Sequence, residues 1–348
     1  MSSLSSTASA RDLERVAVVG GTVASGLVDV TSDLAALESS GWWAVVLPFE
    51  GPPVCARFDR QRPSGAALRP SRRWQGPARA DWVSSLDREA FSARVELVRD
   101  AIAAGDVYQV NLTRRLTAPL PPDASMVALG AALAAGNPAP FAAVIELPEV
   151  GIRIASASPE LFLRRDGRRV RSSPIKGTTS PGTPFRPKDR AENVMIVDLV
   201  RNDLGRVCVP GTVTVPALLA EEAHPGLTHL VSTVEGELRP DAGWAELLDA
   251  TFPPGSVTGA PKLAAVEHIA RLEPVERGAY CGAIGWVDAD RARGELNVAI
   301  RTFWVEDGQL CLGTGGAVTW DSTPEGEWAE TELKAARLLS VASPGPVA

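Results

Sequence analysis

The chain has 348 residues, a formal net charge of −7 and 45% hydrophobic residues, enough material for two ordinary domains or one large one. Its acidity excludes the basic footprint of a nucleic-acid-binding protein, and its longest apolar runs, such as 42–48, stop far short of the roughly 20 residues that a membrane span needs. The Ser-rich N-terminus lacks a basic segment followed by an apolar one, and Cys55, Cys208, Cys281 and Cys311 lack C-x-x-C spacing, so the expectation is a cytoplasmic protein with reduced thiols.

In chain order, residues 16–19, 43–47 and 54–58 are short, β-branched or aromatic, and bounded by Gly or Pro, which predicts strands. The stretch 60–80 is rich in Arg, Pro, Ser and Gly and reads as a linker, the best candidate for a subdomain boundary. A helix follows: Asp87 can cap its start, Phe91, Val95, Val98 and Ile102 share one face, and Gly105 stands where a C-cap belongs. The pattern then predicts a strand over 107–116, an Ala-rich helix after Ser125, strands at 142–147, 152–156 and 161–165, and an apolar helix over 188–204 ending at Gly205. Further strands are expected at 212–215, 229–236, 281–288, 295–305 and 309–318, with helices at 243–251, 261–271 and 325–340. This order, with its hairpin-like strand pairs, predicts an α+β fold of two packed, largely antiparallel sheets flanked by outer helices, rather than a doubly wound parallel sheet.

Several residues on this frame have chemical potential. Asp189 and Glu192 are three apart near the start of one predicted helix, and Glu327 and Glu330 repeat the spacing in the last helix. Acidic residues there also complement the helix dipole; facing one another, the two pairs would make a hard oxygen cage suited to Mg2+. Lys176 sits between Pro174 and Gly177 in an expected loop. A solvated charge is the plain reading, and a nucleophilic lysine would need burial or nearby positive charge to lower its pKa. The run 255–262 places a hydroxyl and free backbone N–H groups before a helix, which can hold an anion, and the glycine run 313–316 lets backbone approach a ligand closely. Neither matches a P-loop or a dinucleotide fingerprint. His229 opens a strand-like run.

Strung in this order, the segments resemble the chorismate-utilising enzymes, which include anthranilate, isochorismate, salicylate and aminodeoxychorismate synthases. The resemblance is carried by 108–112, Ser158-Pro159-Glu160, 174–178, 189–193, 197–203, 229–233, 255–262, 280–285, Ile300-Arg301-Thr302, 313–318 and 327–334. It covers 85–340 as a chorismate-binding catalytic domain, preceded by a shortened β-rich subdomain with linker (1–80) and followed by a tail (341–348). Two positions choose among members. Gln109 stands where the isochorismate and salicylate synthases have a water-activating lysine, and Lys176 stands where anthranilate synthases usually have alanine. The resemblance therefore implies amination of chorismate at C4.

It further implies that Glu192 and Glu330 bind Mg2+ directly, with Asp189 and Glu327 acting through water. Thr258, Gly259 and Lys334 would help hold the ring carboxylate; Tyr280, Arg301, Gly315 and Gly316 would grip the enolpyruvyl carboxylate. Glu160 would be the general acid, Lys176 the nucleophile at C2, and His229 a catalytic neighbour of the ring. No cysteine has a nucleophile-elbow context, so ammonia is expected from a separate glutamine amidotransferase subunit. The rival readings are anthranilate synthase component I and a non-catalytic chorismate-binding protein.

Overall fold

A computed structural model describes residues 15–64, 70, 72–121, 123–179, 182–224 and 227–344. The Ser-rich N-terminus, part of the expected linker 60–80 and the end of the expected tail lie outside the described residues. In chain order come β1 (Val16–Val19), β2 (Thr22–Thr31), β3 (Trp42–Leu47), β4 (Val54–Pro63), β5 (Val83–Ser84), α1 (Arg88–Ala104), β6 (Gln109–Pro119) and α2 (Met126–Gly136). They are followed by β7 (Phe141–Leu147), β8 (Ile152–Ser158), β9 (Leu161–Asp166), β10 (Arg169–Ser173), β11 (Ile175–Thr179), α3 (Pro187–Gly205), β12 (Thr214–His224) and β13 (Leu227–Glu237). The last are α4 (Trp244–Thr251), β14 (Gly259–Ala260), α5 (Lys262–Leu272), β15 (Ala283–Asp288), β16 (Arg293–Val298), β17 (Thr302–Glu306), β18 (Gln309–Val318) and α6 (Pro324–Ala342).

The strands pair antiparallel into one ribbon with two halves. One half runs β6–β18–β17–β8–β7–β1. The other runs β4–β3–β15–β16–β9–β10–β13–β12. β2 joins them, pairing with β1 on one side and β4 on the other through a bulge between Leu27 and Asp29. The inner faces of both halves share one core, containing Ile145 and Ile154 from the first and Val45, Leu163 and Val287 from the second. Period-2 alternation sends the other face outward: Ala155 and Ala157 of β8, Phe303 of β17, and Leu310 and Leu312 of β18 pack on Leu129 of α2 and Leu338 of α6. The expected α+β fold of antiparallel sheets with outer helices is what forms.

The local signals worked where they were strong. Asp87 caps α1, accepting from Ala90 N at 2.8 Å, and Gly105 ends it at φ 84°; such a cap is worth about 1 kcal/mol. Three expectations need correcting. The single strand 295–305 is two strands, because β16 pairs with β9 and β15 in one half and β17 pairs with β8 in the other. The chain crosses between halves at 299–301, and Arg301 takes φ 51° there. Lys176 is not in a loop but on β11, which pairs with β13 through a bulge. The region 60–80 is in part structured: β4 continues to Pro63, and buried Trp74 donates its indole N–H to Ala342 O at 2.9 Å.

Candidate active site

Two crossovers between the halves lie side by side. β8 belongs to the first half and β9 to the second, so the chain changes halves at Pro159-Glu160, as it does again at 299–301. The two passes are stitched together: Val298 N donates to Glu160 O at 3.0 Å, Ala157 N to Arg301 O at 3.0 Å, and Ser158 Oγ to Val298 O at 2.6 Å. Glu160 and Arg301 are thereby held where the ribbon splits. The Arg301 side chain has no hydrogen-bond or ion-pair partner among the described residues. It is half-buried, and burial lowers its pKa while the Glu160 charge opposes that. A half-buried guanidinium with no partner for its side chain is chemically suited to an anion.

Glu160 is buried, and burial pushes its carboxyl up to about 7 against the Ser256 hydroxyl, the Lys176 charge and the Ile175 backbone N–H, which lower it. Lys176 enters from β11 and donates to Ser256 O at 3.0 Å. Burial lowers its pKa; Glu192, Glu160 and Glu330 pull the other way and Lys334 adds to the lowering. The acid, the amine and both carboxylate helices therefore share one electrostatic site. Ser256 touches both reactive groups, its hydroxyl on Glu160 and its carbonyl on Lys176. His229 on β13 is buried, with Nδ1 2.9 Å from Thr178 Oγ1 on the neighbouring β11.

The carboxylates arrive from α3 and α6. α3 opens with Pro187 in its first turn, and Asn193 ties it to β13 by donating to Leu230 O at 3.0 Å. α6 opens at Thr323, whose hydroxyl accepts from Gly326 N. Glu327 is buried; Ser322 donates to its Oε1 at 2.6 Å, while its Oε2 has no partner among the described residues. Glu330 pairs with Lys334 at 2.7 Å. Burial pushes Glu330 up, but Lys334, Lys188 and Lys176 outweigh it and hold the carboxyl below its ordinary value. Burial raises Glu192 despite Lys176 and Lys188, and Glu330 and Glu327 add to the rise. Asp189 differs: Arg186 binds both its oxygens, with contacts of 2.8 and 3.0 Å, so it works as the cap of α3.

These donors are all hard oxygens, one of them buried and unmatched, which fits a divalent cation that keeps water in its shell. Among the described residues no three acidic, His or Cys side chains yet converge on one point; Lys188 and Lys334 stand between them instead.

The glycine run forms the floor. A Cβ on Gly316 would lie 3.0 Å from Glu327 Oε2 and 3.1 Å from Glu330 Oε1, whereas one on Gly315 would lie 2.5 Å from Leu112 O. Gly315→Ala is thus expected to destabilise by about 1–3 kcal/mol, since backbone must move. Gly316→Ala should unfold in urea near the wild-type midpoint, since only carboxylate ends are displaced. Lys334 reaches Gly315 O at 2.9 Å. Buried Tyr280 lies over Gly313, where a Cβ would come within 2.1 Å of its ring. Thr258 is buried, with its hydroxyl turned back onto Pro254 O at 3.1 Å, and Gly259 at φ 146° lets the turn close on β6, where a Cβ would meet Gln109 O at 2.1 Å.

Of the site residues expected from the sequence, Glu160, Thr258, Tyr280 and Arg301 lie in connections and the rest on strands or helices, and three useful ones were not anticipated: Ser256, Lys188 and Arg277. Ser256 and Lys188 lie inside the segments that carry the resemblance or beside them. Arg277 had no local signal.

The sequence matches the chorismate binding enzyme family over residues 55–340. It is 40% identical over 273 residues to aminodeoxychorismate synthase component 1 of Escherichia coli K12, covering 75% of this chain and 59% of that protein. It is also 40% identical over 291 residues to anthranilate synthase component 1 of Streptomyces coelicolor, covering 80% of this chain and 55% of that protein. The chain thus spans less than two thirds of the length of these curated relatives. In fold it resembles MenF, the menaquinone-specific isochorismate synthase of Escherichia coli, with a TM-score of 0.79 and 18% identity over 97% of this chain and 92% of that one. From its matched residues, the chain belongs to the family of chorismate binding enzymes.

Proposed function

We propose that this protein aminates chorismate at C4 to give 4-amino-4-deoxychorismate. The observation that carries the reading is Lys176, an amine with a pKa lowered by burial, standing beside a carboxyl whose pKa is raised to about 7. A nucleophile needs its proton off and an acid needs its proton on, and burial drives each in that direction. Arg301 and the backbone of Gly315 and Gly316 would grip the enolpyruvyl carboxylate. Glu192, Glu327 and Glu330 would hold Mg2+, which when bound would anchor the ring carboxylate and draw charge from the ring.

Lys176 Nζ forms a bond to C2 as the two ring double bonds shift and the C4–O bond breaks. The departing hydroxyl takes the Glu160 proton and leaves as water. Ammonia then bonds to C4, the double bonds shift back, and the C2–N bond to Lys176 breaks. One proton lost from ammonia restores Glu160, and the net change is hydroxyl for amine. Two displacements preserve a stereochemical outcome that one would invert. The two relatives cited are named as component 1, and we take ammonia to come from a separate glutamine amidotransferase subunit.

Anthranilate synthesis is the second reading, favoured by the equal identity to the Streptomyces coelicolor protein. Incubation with chorismate, Mg2+ and an ammonium salt at mildly alkaline pH, with mass analysis and treatment by an aminodeoxychorismate lyase, separates them: p-aminobenzoate supports C4 amination and anthranilate overturns it. Chorismate bound but unchanged would mark a binder. The rate per unit of free ammonia should fall as pH rises through about 7, where Glu160 ionises. Glu160→Gln should flatten that limb and lower the plateau about a hundredfold or more.

A further inference from the structure

Lys188 occupies an unusual place. It lies in the first turn of α3, and its ammonium is 3.6 Å from Glu192 Oε1, 3.3 Å from Glu327 Oε1 and 3.1 Å from Ser322 Oγ. It therefore spans from α3 to α6 and sits among the same carboxylates that would hold a divalent cation. Ser322, buried beside it, also donates to Glu327 Oε1 at 2.6 Å and fixes that carboxylate's inner oxygen. The other oxygen, Glu327 Oε2, is buried without a partner among the described residues and lies within about 3 Å of the same point beside Gly316 as Glu330 Oε1. One oxygen of Glu327 is thus committed to Ser322 and Lys188, and the other is left to a further partner.

The two cations would compete for the same carboxylates. An ammonium satisfies carboxylates at about 3 Å, whereas Mg2+ needs oxygens at roughly 2.0–2.1 Å in octahedral geometry. With Lys188 interposed, three carboxylates stay near one another without converging. Lysine suits such a provisional role, being a single charge on a flexible four-carbon stem, and its side chain is 22% exposed, so it has a route outward.

We propose that Lys188 is a displaceable counter-ion of this site: it holds the carboxylates of α3 and α6 together in the metal-free protein and must swing out when a divalent cation enters, so that it sets the metal affinity. The inference rests on reading Glu192, Glu327 and Glu330 as a divalent-cation site. It has a double consequence, because removing the ammonium should tighten metal binding and weaken the metal-free fold together. A purely structural lysine would give only the second, and a lysine that helps bind metal or its water would give the opposite of the first.

The test uses the full chain with Mn2+ as probe, free Mn2+ being read by its electron paramagnetic resonance signal, alongside thermal unfolding in chelator. Lys188→Met should bind Mn2+ about tenfold more tightly or better, as expected when a competing state that the ion must displace is removed. Its metal-free melting temperature should drop by several degrees and recover on adding Mg2+. If Lys188→Met is too unstable without metal, the double variant Lys188→Met/Glu327→Gln, which removes one charge of each sign, should restore the metal-free melting temperature. Unchanged or weaker Mn2+ binding by Lys188→Met, with the wild type binding, would overturn the counter-ion role. Failure of the wild type itself to bind Mn2+ would overturn the metal-site reading beneath it.

Discussion

Lys176→Ala is expected to bind chorismate with wild-type affinity while its rate of 4-amination falls about a thousandfold, a loss on the order of 4 kcal/mol of transition-state stabilisation. The two halves of this expectation come from different atoms. The groups assigned to substrate carboxylates are Arg301, the glycine backbone and, through Mg2+, the carboxylates of α3 and α6, none of which needs the lysine side chain to hold its place. The chemistry is another matter. The ammonium donates to Ser256 O at 3.0 Å, and without it Glu160 can still protonate the C4 hydroxyl but no amine attacks C2 to expel it. Lys176→Arg should be nearly as inactive, because a guanidinium keeps its proton and its planar fork does not fit one carbonyl and one ring carbon. Titration calorimetry with chorismate and single-turnover mass analysis of product check both halves. Unchanged turnover by Lys176→Ala would remove the covalent step, and lost binding would reassign Lys176 to substrate anchoring.

What could be read in the sequence follows from the range of the interactions involved. The helices were legible because caps and i, i+4 faces are local: Asp87, Gly105 and the stripe Phe91, Val95, Val98 carry α1 by themselves. Strand β2 was not, since its burial follows no alternation around the bulge near Gly26, where the chain turns from one half of the ribbon to the other. β11 escaped for a related reason. Five residues with a glycine in the middle have no period to read, and the strand exists because β13, more than fifty positions later, supplies its partner. The same limit shaped the site. The segments holding Glu160, Lys176, Arg301 and the glutamates were recognisable in order, but that Glu160 and Arg301 sit at adjacent crossovers depends on pairings across about 140 residues. Asp189 shows the converse. Its place three residues inside a helix allowed either a metal role or a cap, and its contacts with the neighbouring Arg186 became visible only in the fold.

Arg277 had no signal in the sequence, yet it carries the second large expectation. Its guanidinium is buried and every arm is engaged: two contacts of 2.8 and 2.7 Å to Glu273, one of 2.8 Å to Val257 O and one of 2.7 Å to Asn111 O, with the Phe49 ring 4.5 Å below. Glu273, equally buried, accepts from Thr113 N at 2.8 Å. Val257 lies between Ser256, which receives Lys176, and Thr258, so Arg277 fastens that turn to β6. Arg277→Met should cost about 3–5 kcal/mol in urea unfolding, because Glu273 is left charged without a buried partner. Adding Glu273→Leu should return most of that stability, as apolar replacement of a buried pair often does. Activity should not return with it. The carbonyls of Val257 and Asn111 would still lack their donor, and the turn bearing Ser256 would no longer hold Lys176 and Glu160 in register. A stable double variant with wild-type kcat would therefore show that the pair serves folding alone, and a stable but slow one that its charge is retained to position the catalytic amine.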